Sequence, residues 1–292
     1  LEKTEMIGVI GGTGNTGRAV VKALEKKSVE FRCLVRDSEV AKQKIGETVE
    51  LVHGDVSDHS SIERGLQGCE KLFLLTGHSP ALAEQEIGTI KAAKRAGVNY
   101  IVKLSGGDAV ATEDCPSLIG RSHWQIEQAL KESGLDWTIL RPGFFMQNLI
   151  NTAGMVKGQS KVMMPLSSTV NIAMIDVNDT GDVAAEVLTT AGHENMTYFL
   201  SGHAYTLEDF SSILSKELGN DIPYLEIPLD AAVKAMKERD MPDWLIDHQS
   251  ALMSIVNSGV AGATNDNIAK LSGHAPRTLE QFVSSHIDLF KN

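Results

Sequence analysis

Through the first half of the chain, short apolar runs alternate with longer stretches in which apolar residues recur at helical spacing. The runs cover residues 6–10, 30–35, 49–53, 71–75, 100–104 and 137–140. They are continuous rather than alternating, as expected of strands covered on both faces by crossover helices. Between them, Ser79 reads as a helix cap with Pro80 in the first turn, Gly97 reads as the stop of that helix, and Gly134 closes the next. Strand and helix alternating in this way predict βαβ units and a parallel sheet. Right-handed crossovers then gather the loops after the strands on one edge.

After Asn148 the pattern loosens. Strand-like segments at 170–175 and 197–200 flank a helix at about 179–191, and both are expected to rejoin the main sheet. From Thr206 the chain turns helical, with candidates at 206–218, 230–239, 244–257 and 279–290 and one strand-like stretch at 224–227. Thr278 with Gln281 forms a capping-box pattern. The expectation is a doubly wound α/β fold of Rossmann type. Residues 1–150, with returning segments at about 170–201, form the dinucleotide domain, and 151–169 with 202–292 form a small, mostly helical substrate lobe over the ligand edge.

The first strand runs into Gly11-Gly12-Thr13-Gly14-Asn15-Thr16-Gly17, and an amphipathic helix follows through Val20, Val21 and Leu24. Glycines allow a tight turn and close backbone approach, while the helix N-terminus aims free N–H groups at a pyrophosphate. GxGxxG alone is weak evidence, but here strand, turn and helix stand in the required order. The second strand ends Leu34-Val35-Arg36-Asp37. At a position that carries an acidic residue in NAD-binding folds, Arg36 reverses the charge and suits the 2′-phosphate of NADP(H). The alternative is a solvated arginine paired with Asp37. After the third strand, Asp55 and Val56 are placed to meet the adenine, or else to form an ordinary turn before the helix that follows Asp58.

Composition narrows the class. The chain has 292 residues, 42% hydrophobic and 22% charged, ordinary for a globular protein. A formal charge of −11 argues against direct nucleic-acid binding, which needs clustered Lys and Arg. No apolar run approaches the roughly 20 residues of a membrane helix, and the first five residues lack the pattern of a signal peptide, so a cytoplasmic location is expected. Cys33, Cys69 and Cys115 form no CxxC pair and read as reduced thiols, and no metal site is expected.

These features, together with Ser133-Gly134-Leu135-Asp136-Trp137-Thr138-Ile139-Leu140-Arg141-Pro142-Gly143-Phe144-Phe145-Met146-Gln147-Asn148 and Asp182-Val183-Ala184, resemble the NmrA-like atypical short-chain dehydrogenase/reductases. Within that family the chain resembles the NAD(P)H quinone reductase and triphenylmethane reductase branch. Isoflavone reductases and non-catalytic redox sensors share the scaffold.

The wider superfamily carries Tyr-x-x-x-Lys on the helix before the sixth strand; this chain reads His123-Trp124-Gln125-Ile126-Glu127 there, with no tyrosine between Tyr100 and Tyr198. The resemblance makes His123 the candidate acid, with Glu127 one turn later to orient or charge it, the alternative being a surface His–Glu pair. Ser105 matches the family's serine. Lys103 is expected on the opposite face of the strand. The resemblance also implies that Leu75, Thr76 and Gly77 pass the ribose and diphosphate and that Pro142, Gly143 and Phe144 border the nicotinamide. Phe145, Met146, Asn148 and Asn171 are then the acceptor-binding candidates, unless the aromatic cluster is simply core.

The expected function is NADPH-dependent reduction of a quinone, dye or similar conjugated electrophile. The alternative is a non-catalytic NADP(H)-binding sensor acting through a protein partner. A homodimer is left open.

Overall fold

The computed structural model describes residues 5–291, so Leu1 to Thr4, most of the segment read for a signal peptide, lie outside the described residues. The first six strands and five helices come in strict alternation: β1 (Ile7–Ile10), α1 (Asn15–Lys27), β2 (Phe31–Val35), α2 (Ser38–Ile45), β3 (Glu50–His53), α3 (His59–Gly65), β4 (Lys71–Leu74), α4 (Leu82–Ala96), β5 (Tyr100–Leu104), α5 (Leu118–Lys131) and β6 (Asp136–Pro142). Short elements follow: β7 (Phe144–Phe145), α6 (Ala153–Gln159), β8 (Val162–Met164) and β9 (Ile172–Ile175). Next come α7 (Val177–Thr189), β10 (Met196–Leu200), β11 (Ala204–Tyr205), α8 (Leu207–Leu218) and β12 (Tyr224–Glu226). The chain closes with α9 (Leu229–Lys237), α10 (Asp243–Asn257), α11 (Asn267–Ser272) and α12 (Leu279–His286).

Seven parallel strands make one sheet in the order β10-β6-β5-β4-β1-β2-β3. The order reverses direction at β1, whose neighbours are β2 and β4, and a dinucleotide in such a fold lies across that switch point. Two cores flank the sheet. Val9, Cys33, Phe73, Val102 and Leu104 pack towards α1 and α7. Ile10, Leu34, Leu72, Leu74 and Ile101 pack towards α3, α4 and α5. The inner strands β1, β4, β5 and β6 are thus apolar on both faces, which is why their runs are continuous.

Three expectations need correction. Residues 170–175 do not rejoin the main sheet: β9 is the centre of a separate three-stranded sheet ordered β11-β9-β7, and only β10 returns, beside β6. Apolar content shows that a strand is buried but not which sheet buries it. Ser79 does not cap α4, which starts at Leu82; the Ser79 carbonyl instead accepts from Leu82 N in the preceding turn. Lys103 does not face away from Ser105. Residues two apart on a strand share a face, and both turn towards α4 and α5.

The lobe has its own core, built from Met146, Leu149, β8, β9, α8 and α12. It therefore begins before residue 151 and draws in β9, whereas Ile268 of α11 joins the sheet's core. Asn265 and Asn267 donate their side-chain amides to the Phe199 carbonyl at 2.9 and 2.8 Å, covering part of the exposed edge of β10. Among the described residues, no helix is long and apolar enough to cross a membrane.

Candidate active site

The glycine turn is shaped by contacts that leave no room for side chains. Gly11 has φ +84°, and a Cβ there would lie 2.2 Å from the Leu75 carbonyl oxygen; one at Gly17 would lie 1.9 Å from the Gly11 oxygen. A Cβ on Gly12 would lie 3.0 Å from Cys33 Sγ, and burial pushes that thiol up to about 12, leaving it protonated. Gly14 differs. A Cβ there would meet only the Gly11 oxygen, at 3.5 Å, so its open side is free for a ligand.

Gly14 is also the N-cap of α1, with no side-chain cap hydrogen bond and no acidic residue in the helix's first turn. The N–H groups of Asn15, Thr16 and Gly17 are thus left for an anion at the positive end of the helix dipole. Thr13 borders the turn, and Asn15 accepts from Arg18 at 2.7 Å. This bare, open helix start fits a diphosphate.

Past β2, Arg36 is exposed and makes no ion pair among those described. Asp37 does not hold it, because one Asp37 oxygen accepts from Glu39 N and Val40 N as the cap of α2. Asp55 is partly committed to its own turn. Its Oδ1 accepts from Ser57 N and Oγ at 2.9 and 2.7 Å, and these bonds, with smaller help from Arg36 and His53, hold the carboxyl below its usual range. Val56 packs against the core under α3 and α4.

On the other side of the switch point, Leu75 packs into the core under α1 and α7. Thr76 is fixed by Glu86 of α4, which accepts from its N–H at 3.2 Å and its hydroxyl at 2.8 Å. The second Glu86 oxygen lies 2.8 Å from Lys103 Nζ, and both side chains are fully buried. Lys103 also donates to the Leu104 carbonyl. Gly77 and His78 follow, both exposed.

At the end of β5, Ser105 donates to Glu127 at 2.6 Å. Glu127 does not pair with His123. Its buried carboxylate takes a two-pronged bond from Arg141 at 2.9 and 2.5 Å, with Lys131 at 3.7 Å. Shared helical face brings His123 and Glu127 near each other, but a guanidinium fork from β6 is the stronger partner for a carboxylate.

His123 is buried beside Gly106, and its Nδ1 has no hydrogen-bond partner among the described residues. Burial, then Lys103, His78 and His248, hold its pKa well below the usual histidine range. Its ring meets His78 edge-on at 5.8 Å between centroids, and His78 meets His248 of α10 at 5.0 Å. Ser117 Oγ accepts from Ile119 N and Gly120 N, which uses its lone pairs, so its proton goes to His248 Nδ1 at 2.7 Å. His248 therefore carries its ring proton on Nε2. Burial, then His78, lowers its pKa to about 4.

At the end of β6 Pro142 is buried, and just beyond it Gly143 is wedged between strands, where a Cβ would come 2.7 Å from the Ala173 oxygen. The aromatic cluster is largely core. Phe144 packs into the lobe, Phe145 into the sheet's core, and Met146 is wholly enclosed by the lobe and so cannot face an acceptor. Asn148 and Asn171 are exposed. Glu86, Arg141, His78 and His248 were not assigned roles from sequence. Arg141 lies within the quoted Leu-Arg-Pro-Gly block, but nothing local to the others announces that they converge.

Known proteins resemble this chain over almost its whole length. The chain is 33% identical over 286 residues to an NAD(P)H azoreductase of Xenophilus azovorans, covering 98% of this chain and 99% of the relative. It is 29% identical over 285 residues to quinone oxidoreductase 2 of Escherichia coli, covering 96% and 98%. The crystal structure of NADPH-dependent quinone oxidoreductase QOR2 from Escherichia coli, complexed with NADPH, superposes with a TM-score of 0.85 at 28% identity, over 97% and 100% of the two chains. That of Citrobacter sp. triphenylmethane reductase with NADP(H) gives 0.83 at 25%, over 96% and 99%. The model of the NmrA-like family matches residues 3–283, and with these relatives it establishes that the chain belongs to the NmrA-like family.

Proposed function

We propose that the protein is an NADP(H)-dependent reductase whose acceptor is a quinone, dye or similar conjugated electrophile. The observation that carries this reading is the uncapped, glycine-lined start of α1, open at Gly14, with Arg36 beyond it, exposed and in no ion pair among the described residues. The turn's N–H groups hold the diphosphate and Arg36 the 2′-phosphate. Asp55, whose second oxygen has no hydrogen bond among the described residues, borders the adenine side. Leu75, Thr76 and Gly77 pass the second ribose, and Pro142, Gly143 and Phe144 border the nicotinamide. The azoreductase, quinone oxidoreductase and triphenylmethane reductase relatives support the acceptor class.

A bound dihydronicotinamide supplies the hydride. The chain's part is to bind, orient and keep water away. Ser105, tied through Glu127 to Arg141, offers a hydroxyl oxygen at a fixed place near the reacting ring. The buried Glu86–Lys103 pair fixes Thr76. Without the Tyr-x-x-x-Lys pair, the site suits acceptors activated by conjugation rather than simple ketones.

The test is NADPH consumption with a panel of quinones, triarylmethane dyes, azo dyes and enones. Acceptor-dependent oxidation is expected. Tight NADPH binding with no oxidation across the panel would instead favour the sensor.

A further inference from the structure

Three histidines from three separated elements converge just past the end of β4: His78 from the β4–α4 loop, His123 from α5 and His248 from α10. Their exposure differs sharply. His123 and His248 are 5% and 2% exposed, whereas His78 is exposed. A proton donor that turns over must meet the acceptor and recharge from water, and a ring sealed on all sides does neither. His78 also follows directly on Thr76 and Gly77, which sets it on the β4 and β5 side of the switch point, where the reacting half of the dinucleotide would lie.

Resting on the reductase reading above, we propose that His78, backed by the neutral rings of His123 and His248, delivers the proton to the reduced acceptor. Hydride transfer to a quinone carries two electrons and leaves a hydroquinone oxyanion. The imidazolium N–H of His78 then breaks as the acceptor O–H forms, and the neutral ring regains its proton from water. The sum is NADPH, quinone and one proton giving NADP+ and hydroquinone.

The groups facing His78 set its charge. Lys103 of β5, itself paired with Glu86 of α4, disfavours the imidazolium, while His123 of α5 and His248 of α10 add no charge when neutral. The residue as a whole is exposed, but partial desolvation of its ring against the neighbouring side chains, then Lys103, lowers the His78 pKa from the usual histidine value. Proton delivery therefore strengthens as pH falls through the region below about 6.5. His123 and His248 become positioning residues that hold the His78 ring from two sides.

The experiment compares the wild-type holoprotein with His78→Gln on two acceptors. A quinone needs a proton after hydride transfer, while a triarylmethane cation is neutralised by the hydride itself. The ratio of quinone to dye turnover is expected to fall about 100-fold in the variant, within the usual range for general acid catalysis, and the acidic rise in quinone turnover to disappear. An unchanged ratio overturns the assignment, since a merely structural role would slow both acceptors together. Wild-type protein that reduces neither acceptor overturns the reductase reading, and the assignment falls with it.

A readout independent of turnover is the 15N-imidazole NMR titration of the cofactor-free protein, with the His78 signal identified by its loss in the variant. It is expected to titrate below the usual histidine value yet at higher pH than the two buried rings. A His78 ring that takes up its proton no more readily than they do overturns the proposal.

Discussion

Arg36 can be read from sequence because one side chain at one strand end carries the information. In the fold it stands exposed and free of Asp37, which is spent on capping α2. Arg36→Ala should weaken NADPH binding roughly 10- to 100-fold, the size of a lost charge-assisted pair, and leave NADH affinity nearly unchanged. Calorimetric titration of both cofactors checks this, and equal losses for both would remove Arg36 from the 2′-phosphate. Gly17→Val makes a harsher test of the turn. Its Cβ would collide with the Gly11 carbonyl, so the variant should lose detectable NADPH binding, or fold poorly, in the same titration.

Residues whose partners lie far away in sequence were less legible. Glu127 was paired with His123 by helical spacing, but Arg141, 14 residues on, claims it. Lys103 shares its face with Ser105, as residues two apart on a strand do, and its buried partner Glu86 carries no local signal.

At the scale of elements, helix α7 lies against α1 at a distance set by one glycine. A Cβ on Gly181 would come 2.6 Å from the Ala19 carbonyl carbon. Gly181→Leu should push the helices apart and cost about 1–3 kcal/mol, seen as a lower urea midpoint with an unchanged slope. An unaltered midpoint would mean that the helices can part freely. The same helix is tied to the tail by Arg277, which donates to Asp179 and to Asp182 at 3.0 Å.

Arg277→Ala leaves the buried Asp179 carboxylate without its cation. A loss of about 3 kcal/mol is expected, the usual scale for one partner removed from a buried pair, and the denaturant midpoint again reads it. The alternation of β1 to β6 with α1 to α5 was plain from the apolar runs, because parallel strands covered on both faces leave that mark. The sheet to which β9 belongs was not, since its four buried residues would suit either sheet.

On the scale of the whole molecule, the lobe does more than cover the edge, because α10 contributes His248 to a cluster otherwise formed by the dinucleotide domain. Such convergence has no sequence signature: the three histidines lie on elements that only the tertiary fold brings together.

It also has a cost in acid. His248, with a folded pKa of about 4 against 6.5, binds its proton more readily in the unfolded chain. Its contribution to stability is therefore complete above pH 6.5 and is lost as pH falls towards 4. His123 acts in the same direction. The urea midpoint should fall between pH 7 and pH 4.5, and less steeply in His248→Gln. An identical slope in the variant would show that the ring titrates alike in the folded and unfolded chain.

The central claim, hydride transfer from a bound nicotinamide to a conjugated acceptor, is tested most directly by following the hydride itself. With NADPH deuterated at the transferable C4 position and a triarylmethane cation as acceptor, one deuteron is predicted on the central carbon of the leuco product. NADPH that binds tightly but transfers no deuterium would contradict the account.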